Sequence, residues 1–175
     1  MKNKLIFILS ILTFISCDTA SVDLDDENYI FDGRGGAKCE VNGVEFIPRV
    51  VTSPGASSME LNFAQDNGQE YLYLNFNNRG ENNELLMVSL LMNNVNPYEN
   101  DLTGMVIDLN DDSTGMYRII LLDEYSTNTE YIGELEIVYH DQDERILAGR
   151  FWYDSVNSNN EIVEIRNGEF DMKYY

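Results

Sequence analysis

The stretch that decides the fold is Ala-Lys-Cys-Glu-Val-Asn-Gly-Val-Glu-Phe, residues 37–46. Apolar and polar side chains alternate on both sides of Asn42-Gly43, and this period of two is typical of a half-buried β-strand. An Asn-Gly pair between two such runs predicts a hairpin, because both central residues of a type I′ turn adopt positive φ. The register of that hairpin places Cys39 opposite Phe46 on the buried face, which predicts an inert thiol.

The same alternation continues towards the C-terminus in short runs separated by polar turns. The runs cover residues 59–63, 72–76, 85–92, 103–109, 116–122, 131–140, 146–153, 162–166 and 169–174, with a turn at 166–168 between the last two. Residues 85–92 are apolar on both faces, which predicts a central strand. We therefore expect residues 37–175 to form a single all-β domain, an antiparallel β-sandwich or a flattened or closed barrel of about ten meander-like strands.

The N-terminus has the features of a secretory signal over residues 1–16. A short positive segment precedes an apolar run at 5–15 that is too short to span a bilayer. It ends in Phe14-Ile15-Ser16-Cys17, which resembles a bacterial lipobox. This resemblance implies that Cys17 is acylated and anchors the chain to a membrane of the cell envelope, namely the outer membrane, with exposure at the cell surface. The alternative is an ordinary signal peptide, with Cys17 free to pair with Cys39.

Residues 17–36 are acidic and rich in turn formers. An acidic cluster at residues 23–27 is followed by Asp-Gly-Arg-Gly-Gly at 32–36, without apolar periodicity, and this composition predicts a flexible tether. Acidic residues soon after the lipidated cysteine also resemble the surface-export signals of Bacteroidota lipoproteins. A merely solvated linker is the alternative interpretation.

The charge balance excludes one class of partner. The 175 residues carry 11 Lys and Arg against 31 Asp and Glu, a net charge of −20. Removing residues 1–16 takes away two lysines and no acid, which leaves 159 residues with nine bases and 31 acids, or −22. Such a molecule repels a phosphate backbone, so we expect no nucleic-acid partner. Hydrophobic residues at 43% still suffice for a core.

A Gly-x-Phe pattern recurs in the C-terminal half. It lies within Gly133-Glu-Leu-Glu-Ile137, Asp141, Ile146-Leu-Ala-Gly149-Arg-Phe151 and Val163-Glu-Ile165-Arg-Asn-Gly168-Glu-Phe170-Asp. Residues 104–174 thereby resemble a family of small uncharacterised cell-envelope lipoproteins of Bacteroidota, and 37–46 suits the opening hairpin of that family. The family has no assigned activity. The resemblance implies a β fold and an envelope location, with structural glycines and aromatics, and implies no catalytic residue.

The sequence contains few residues that could form a catalytic site. His140 is the only histidine, which excludes His-rich metal sites, and its place beside Asp141 at a strand end predicts an exposed turn residue. There is no nucleophile elbow, zincin motif or phosphate-binding loop. We therefore predict a protein that is not an enzyme and needs no cofactor. The 31 acids leave a carboxylate-dependent glycan hydrolase as the alternative, although a suitable carboxylate pair arises by chance in such a composition.

Calcium is the one metal that the composition favours, since hard oxygen ligands are abundant. The run Asp108-Leu-Asn110-Asp111-Asp112 begins like an EF-hand loop, but Ser113 and Ile119 occupy the glycine and glutamate positions. A weak site there, or in a second acidic turn, is a hypothesis whose alternative is a solvated turn. The second turn contains Asp141, Asp143 and Glu144.

Trp152 is the strongest candidate for ligand binding. Phe151 and Tyr153 share the apolar face of their strand, which places Trp152 on the opposite face with Arg150 and Asp154. An aromatic between charges can stack on a sugar ring or anchor a protein partner, or it can cover the second face of the sheet. The same alternatives apply to Tyr71 and Tyr73, which are out of phase with the apolar residues of their strand.

Three hypotheses for the function follow. The leading one is a membrane-anchored, non-enzymatic envelope lipoprotein whose β domain binds a glycan or a protein partner. The second is the carboxylate-dependent glycan hydrolase, which requires two acids in a cleft near the aromatics. The third is a structural subunit that assembles through unprotected sheet edges.

Overall fold

The computed structural model describes residues 22–49 and 57–175, which form eleven β-strands. The strands are β1 (Gly36–Val41), β2 (Val44–Phe46), β3 (Met59–Asp66), β4 (Gln69–Arg79), β5 (Leu85–Asn93), β6 (Val106–Leu109), β7 (Thr114–Ile119), β8 (Asp123–Ser126), β9 (Gly133–Asp141), β10 (Ile146–Val156) and β11 (Ile162–Lys173). Paired strands are antiparallel, and they form one curled sheet, a half-barrel. The prediction of an all-β antiparallel fold is confirmed. Within the two described ranges, no helix is long and apolar enough to cross a membrane.

The sheet divides into two wings that share β10. The main path runs β2-β1-β11-β10-β8-β7-β5-β4-β3, and β9 joins β10 to β6. The first part of β10 pairs with β9, whereas Val156 near its end pairs with Ser126 of β8. Consecutive strands are neighbours in β3-β4-β5 and β9-β10-β11, as in a meander, but the pairings β1-β11, β5-β7 and β6-β9 join strands that are not consecutive.

Three local predictions are confirmed by the backbone angles and the strand pairing. Asn42 and Gly43 both have positive φ, 51° and 76°, as a type I′ turn requires. Cys39 pairs with Phe46 across the hairpin, and both are buried. The predicted central strand is β5, which pairs with β4 on one side and β7 on the other.

The predicted turn at residues 166–168 is wrong, because β11 continues through it. Phe151 pairs with Gly168 and Tyr153 with Ile165, so the register shifts and β11 carries a bulge at Arg166 and Asn167. A Cβ on Gly168 would lie 2.6 Å from the ring of Phe151, so only glycine allows this ring to pack against the strand. The turn-forming residues therefore serve a bulge inside a long strand.

A single core lies between the inner faces of the two wings. Phe76 of β4 stacks on Phe151 of β10, with ring centroids 5.8 Å apart. Tyr153 is fully buried, and its hydroxyl donates a hydrogen bond to the carbonyl oxygen of Met116 at 2.6 Å. Burial raises the pKa of Tyr153 well above its ordinary value, so this phenol stays a donor. The wings are thus joined by both apolar packing and a satisfied polar group.

Residues 22–35 form a strap that packs against the outer face of β11 and its neighbours. Val22 is 1% exposed, and its N–H donates to the carbonyl oxygen of Gly35 at 2.9 Å. The hydroxyl of Tyr29 donates to Asp171 at 3.0 Å, and Phe31 stacks on Tyr139 with centroids 4.5 Å apart.

The expectation of a flexible tether therefore does not hold for residues 22–36. The apolar residues of the strap are too irregularly spaced to show a period, and their partners lie far away in the sequence. The predicted signal peptide and Cys17 lie outside the described residues.

Candidate functional site

Charged side chains alternate in sign across the outer face of β9, β10, β11 and β1. The register places Glu136 opposite Arg150, Arg150 opposite Glu169, and Glu169 opposite Lys38. The Lys38 ammonium is 3.2 Å from a Glu169 carboxylate oxygen, and the Arg150 Nε is 3.8 Å from the other oxygen of the same carboxylate. Glu169 is buried and both cations are partly exposed, so the two ion pairs hold the ends of Lys38 and Arg150 beside one carboxylate.

Trp152 lies on the same face of β10, two residues beyond Arg150. It pairs with Glu134 of β9, and 38% of its surface is exposed. The guanidinium carbon of Arg166 is 5.6 Å from the Trp152 ring centroid, a cation–π contact, and an Arg166 nitrogen is 2.6 Å from Asp154. The bulge in β11 brings Arg166 to this position, so the local backbone irregularity builds the site.

The strap provides a further wall. The N–H of Leu24 donates to Glu169 at 3.3 Å, and Arg150 donates to the carbonyl oxygen of Leu24 at 2.7 Å and to Asp25 at 2.6 Å. Strap and sheet together enclose a groove of about 660 Å³, called here the Trp152 groove. Its charged lining comprises the acids Asp23, Asp25, Glu134, Glu136 and Glu169 and the bases Lys38, Arg150 and Arg166. The volume is within the range of small-ligand sites, roughly 300–1,000 Å³.

The structure brings together only two of the four predicted ligand-binding residues. Arg150 and Trp152 both line the Trp152 groove. Tyr71 lines a separate depression of about 460 Å³, with Asp112 and several amide side chains. Tyr73 lies on β4, where its hydroxyl donates to Glu60 at 3.4 Å.

The residues proposed as calcium ligands are spread over a strand and a turn. Asp108 lies in β6 opposite Glu134, and the Asn110 side chain accepts a hydrogen bond from the N–H of Asp112 at 2.9 Å. In the second acidic turn, Asp141 accepts from the N–H of Glu144 at 2.9 Å. No group of three His, Cys, Asp or Glu placed to hold a metal ion occurs in residues 22–49 and 57–175.

His140 is not the exposed turn residue that the sequence predicts. Its side chain is fully buried. Its Nδ1 accepts a hydrogen bond from the N–H of Leu102 at 3.1 Å, and its Nε2 lies 3.1 Å from the Tyr174 hydroxyl. The connection between β5 and β6, which contains Leu102, folds over the strand end and removes the imidazole from water. Burial lowers the pKa of His140, and these contacts give it a structural role.

Sequence reasoning missed most of the groove. Glu134, Glu136, Glu169 and Lys38 are ordinary charged residues at alternate strand positions, and only the register of four strands aligns them. The sequence feature that could have indicated this site is the alternation of charged residues at outward positions next to Trp152. Nothing in the sequence pattern shows that Asp25 of the strap contacts Arg150.

The edge strands of the described sheet are short or partly covered. The N–H of Phe63 in β3 donates to the carbonyl oxygen of Tyr175 at 2.8 Å, and the N–H of Tyr175 donates to Leu61 at 3.2 Å. The C-terminal residue therefore occupies part of the β3 edge. The edge strands β2 and β6 have three and four residues.

Comparison with protein-family models, with curated proteins and with solved structures finds no match to this chain.

Proposed function

We propose that this chain is a lipid-anchored protein of the cell envelope whose β domain binds a polar ligand or partner in the Trp152 groove without catalysing a reaction. The observation that carries the proposal is the indole of Trp152, 38% exposed in a groove of about 660 Å³ between charged side chains. A large aromatic that contacts water on a rigid strand is typical of a binding hot spot.

The surroundings of Trp152 support binding because they are held in place before a ligand arrives. Arg166 is fixed by Asp154 at 2.6 Å, and Arg150 by Asp25 at 2.6 Å. Side chains that are already ordered lose little conformational entropy on binding. A flat indole bordered by carboxylates and guanidinium groups suits a glycan or a protein segment, the two partner classes expected from the sequence.

The binding proposal is tested with Trp152→Ala on arrays of glycans and peptides. Loss of a central aromatic costs about 2 kcal/mol, so we expect roughly thirtyfold weaker binding to whichever probe the wild type binds. Tyr73→Ala is the matched control, since it removes an aromatic from β4, outside the groove, and its binding should equal that of the wild type. Equal binding by wild type and Trp152→Ala would overturn the proposal.

The anchor rests on the lipobox-like residues 14–17 and is tested separately. Cells fed labelled palmitate should label the wild type, and Cys17→Ser should be unlabelled and absent from the outer-membrane fraction. Cys39→Ser is the matched control, because it removes the only other cysteine and should leave labelling unchanged. Labelling that survives Cys17→Ser would refute lipidation at this residue.

A second candidate is the glycan hydrolase. Glu134 and Glu136 lie in the Trp152 groove, and neither carboxylate has a hydrogen-bond or ion-pair partner among the described residues. Hydrolysis by a carboxylate pair would release reducing ends from a polysaccharide, and Glu134→Gln or Glu136→Gln would abolish the release. The binding proposal predicts no release by the wild type.

A further inference from the structure

The basic side chains of the Trp152 groove are already neutralised. Each has an acidic partner: Lys38 with Glu169 at 3.2 Å, Arg150 with Asp25 at 2.6 Å, and Arg166 with Asp154 at 2.6 Å. Arg150 is in addition bound to the carbonyl oxygen of Leu24 in the strap. An anionic ligand would have to displace these partners before it gained a favourable contact.

The acids on the β9 side of the groove have no such partners in the part of the chain that the structure describes. Glu134 and Glu136 make no side-chain hydrogen bond or ion pair with any described residue. Glu134 pairs directly with Trp152 on β10 and with Asp108 on β6, and the Asp108 carboxylate is likewise exposed and unpartnered within the described part of the chain. Uncompensated negative charge therefore borders the exposed indole.

The indole already contacts a cation within the protein. The guanidinium group of Arg166 lies over the Trp152 ring at 5.6 Å, held by the carboxylates of Asp154 and Glu164. An indole flanked by carboxylates is the environment that a lysine or arginine side chain prefers, because the ring quadrupole and the carboxylates attract it together. On the β9 side the carboxylates are present, and no cationic side chain in residues 22–49 and 57–175 forms an ion pair with them.

We propose that the Trp152 groove binds a peptide segment that carries lysine or arginine, with one cationic side chain at Trp152 beside Glu134 and Glu136. This inference rests on the proposed function and names the chemical class of its ligand. A groove of about 660 Å³ is much larger than one ammonium or guanidinium group, so the cation is one part of a longer chain. A neutral glycan would leave both carboxylates uncompensated.

The test measures binding of labelled peptides to the full-length protein by anisotropy and by the fluorescence of Trp152, the only tryptophan. The probes are an alternating Gly-Arg peptide, its Gly-Gln and Gly-Glu counterparts, spermidine as a small amine, and a neutral oligosaccharide. We expect the Gly-Arg peptide to bind tightest and its affinity to fall with salt. The Glu134→Gln/Glu136→Gln variant should bind it at least tenfold more weakly.

The matched control is Glu99→Gln/Glu130→Gln, which removes the same charge from exposed positions outside the groove. An equal loss of affinity for the Gly-Arg peptide in both double variants would mean that only the net charge of the protein matters, and it would overturn the inference. Spermidine binding as tightly as the peptide would overturn it as well. Trp152-dependent binding of the neutral oligosaccharide alone would overturn the cationic ligand while leaving the proposed function intact. Absence of any Trp152-dependent binding would overturn both.

Discussion

Asp171 is a buried carboxylate whose hydrogen-bond donors all come from the strap. It is fully buried and accepts hydrogen bonds from the Tyr29 hydroxyl at 3.0 Å and from the N–H groups of Asp32 and Gly33 at 3.3 and 3.1 Å. Loss of water, together with the nearby Asp32 carboxylate, raises the pKa of Asp171 in spite of the three hydrogen bonds, which lower it. One side chain thus ties the strap to β11.

The raised pKa makes the stability contributed by Asp171 depend on pH. An unfolded aspartate loses its proton near 3.8, whereas folded Asp171 retains it to higher pH, so stability falls as pH rises through this window. The unfolding free energy of the wild type minus that of Asp171→Asn should therefore decrease from about pH 4 to about pH 7 in urea titrations. A difference that is constant or grows with pH would contradict the raised pKa.

His140 provides a second test at the level of one residue. Because the N–H of Leu102 donates to Nδ1, the neutral ring carries its proton on Nε2 and donates to the Tyr174 hydroxyl, which donates to the carbonyl oxygen of Pro97 at 3.2 Å. Burial lowers the pKa of His140 below 6.5, against the opposite effect of the nearby carboxylates of Asp101 and Asp141.

The single histidine resonance should therefore titrate below pH 6.5 in the NMR spectrum of the folded protein. In concentrated urea the titration midpoint of the same resonance should return to the ordinary histidine pKa of about 6.5. A midpoint in the folded protein at or above the urea value would contradict the conclusion that burial outweighs the carboxylates of Asp101 and Asp141.

At the level of elements, the sequence predicts the strands and turns that have a periodic pattern, and it does not predict the segments without one. The Asn42-Gly43 hairpin and the central strand β5 follow from local pattern alone, because turn chemistry and alternation are local properties. The sequence predicts a turn where β11 has its bulge at Arg166-Asn167, because the same residue types occur in turns and in bulges. The strap is held by partners more than one hundred residues away, such as Asp171, and no local pattern encodes them.

Phe31 is the strap residue whose removal should loosen the element without disturbing the sheet. Its stacking on Tyr139 is half-buried, so Phe31→Ala should cost about 1–2 kcal/mol of strap docking. Hydrogen exchange over residues 22–35 should become roughly five- to thirtyfold faster, while β-strand amides keep their protection.

Ile30→Ala is the matched control for the strap, because Ile30 is the adjacent residue and is 77% exposed. Its exchange pattern should equal that of the wild type. If Phe31→Ala also left the exchange of residues 22–35 unchanged, the stacking on Tyr139 would not hold the strap.

At the level of the whole molecule, only part of the Trp152 groove can be predicted from the sequence. Trp152 and Arg150 were identifiable from the two faces of one strand. The other walls come from β1, β9, β11 and the strap, which the topology assembles from both ends of the chain. Separate charged residues become a site only through the register of strands that are distant in sequence.

The strap also changes the expected position of the domain relative to the membrane. A flexible tether over residues 17–36 would let the domain project far outwards. With the strap docked, only four residues lie between Cys17 and Val22, and the five Cα–Cα steps span at most about 18 Å. Asp23 and Trp152 line the same groove, so the groove is held near the bilayer if Cys17 carries the anchor.

The negative charge of the domain opposes this arrangement on an anionic leaflet. At physiological ionic strength the Debye length is about 8 Å, so repulsion decays over a distance shorter than the remaining tether. We therefore expect the strap contacts to prevail, and the domain to lie close to the lipid surface at physiological salt.

Energy transfer from Trp152 to a dansyl-labelled lipid measures this distance in vesicles that carry the acylated protein. The wild type and Ile30→Ala should show the same strong transfer, and Tyr29→Ala/Phe31→Ala should show less, because releasing the strap lengthens the tether by about 14 residues, or up to about 50 Å. Lower salt should reduce transfer mainly in the released variant on anionic vesicles, since its domain is free to move away from like charge. Weak transfer in the wild type, equal to that of the double variant, would mean that the strap does not hold the domain at the membrane.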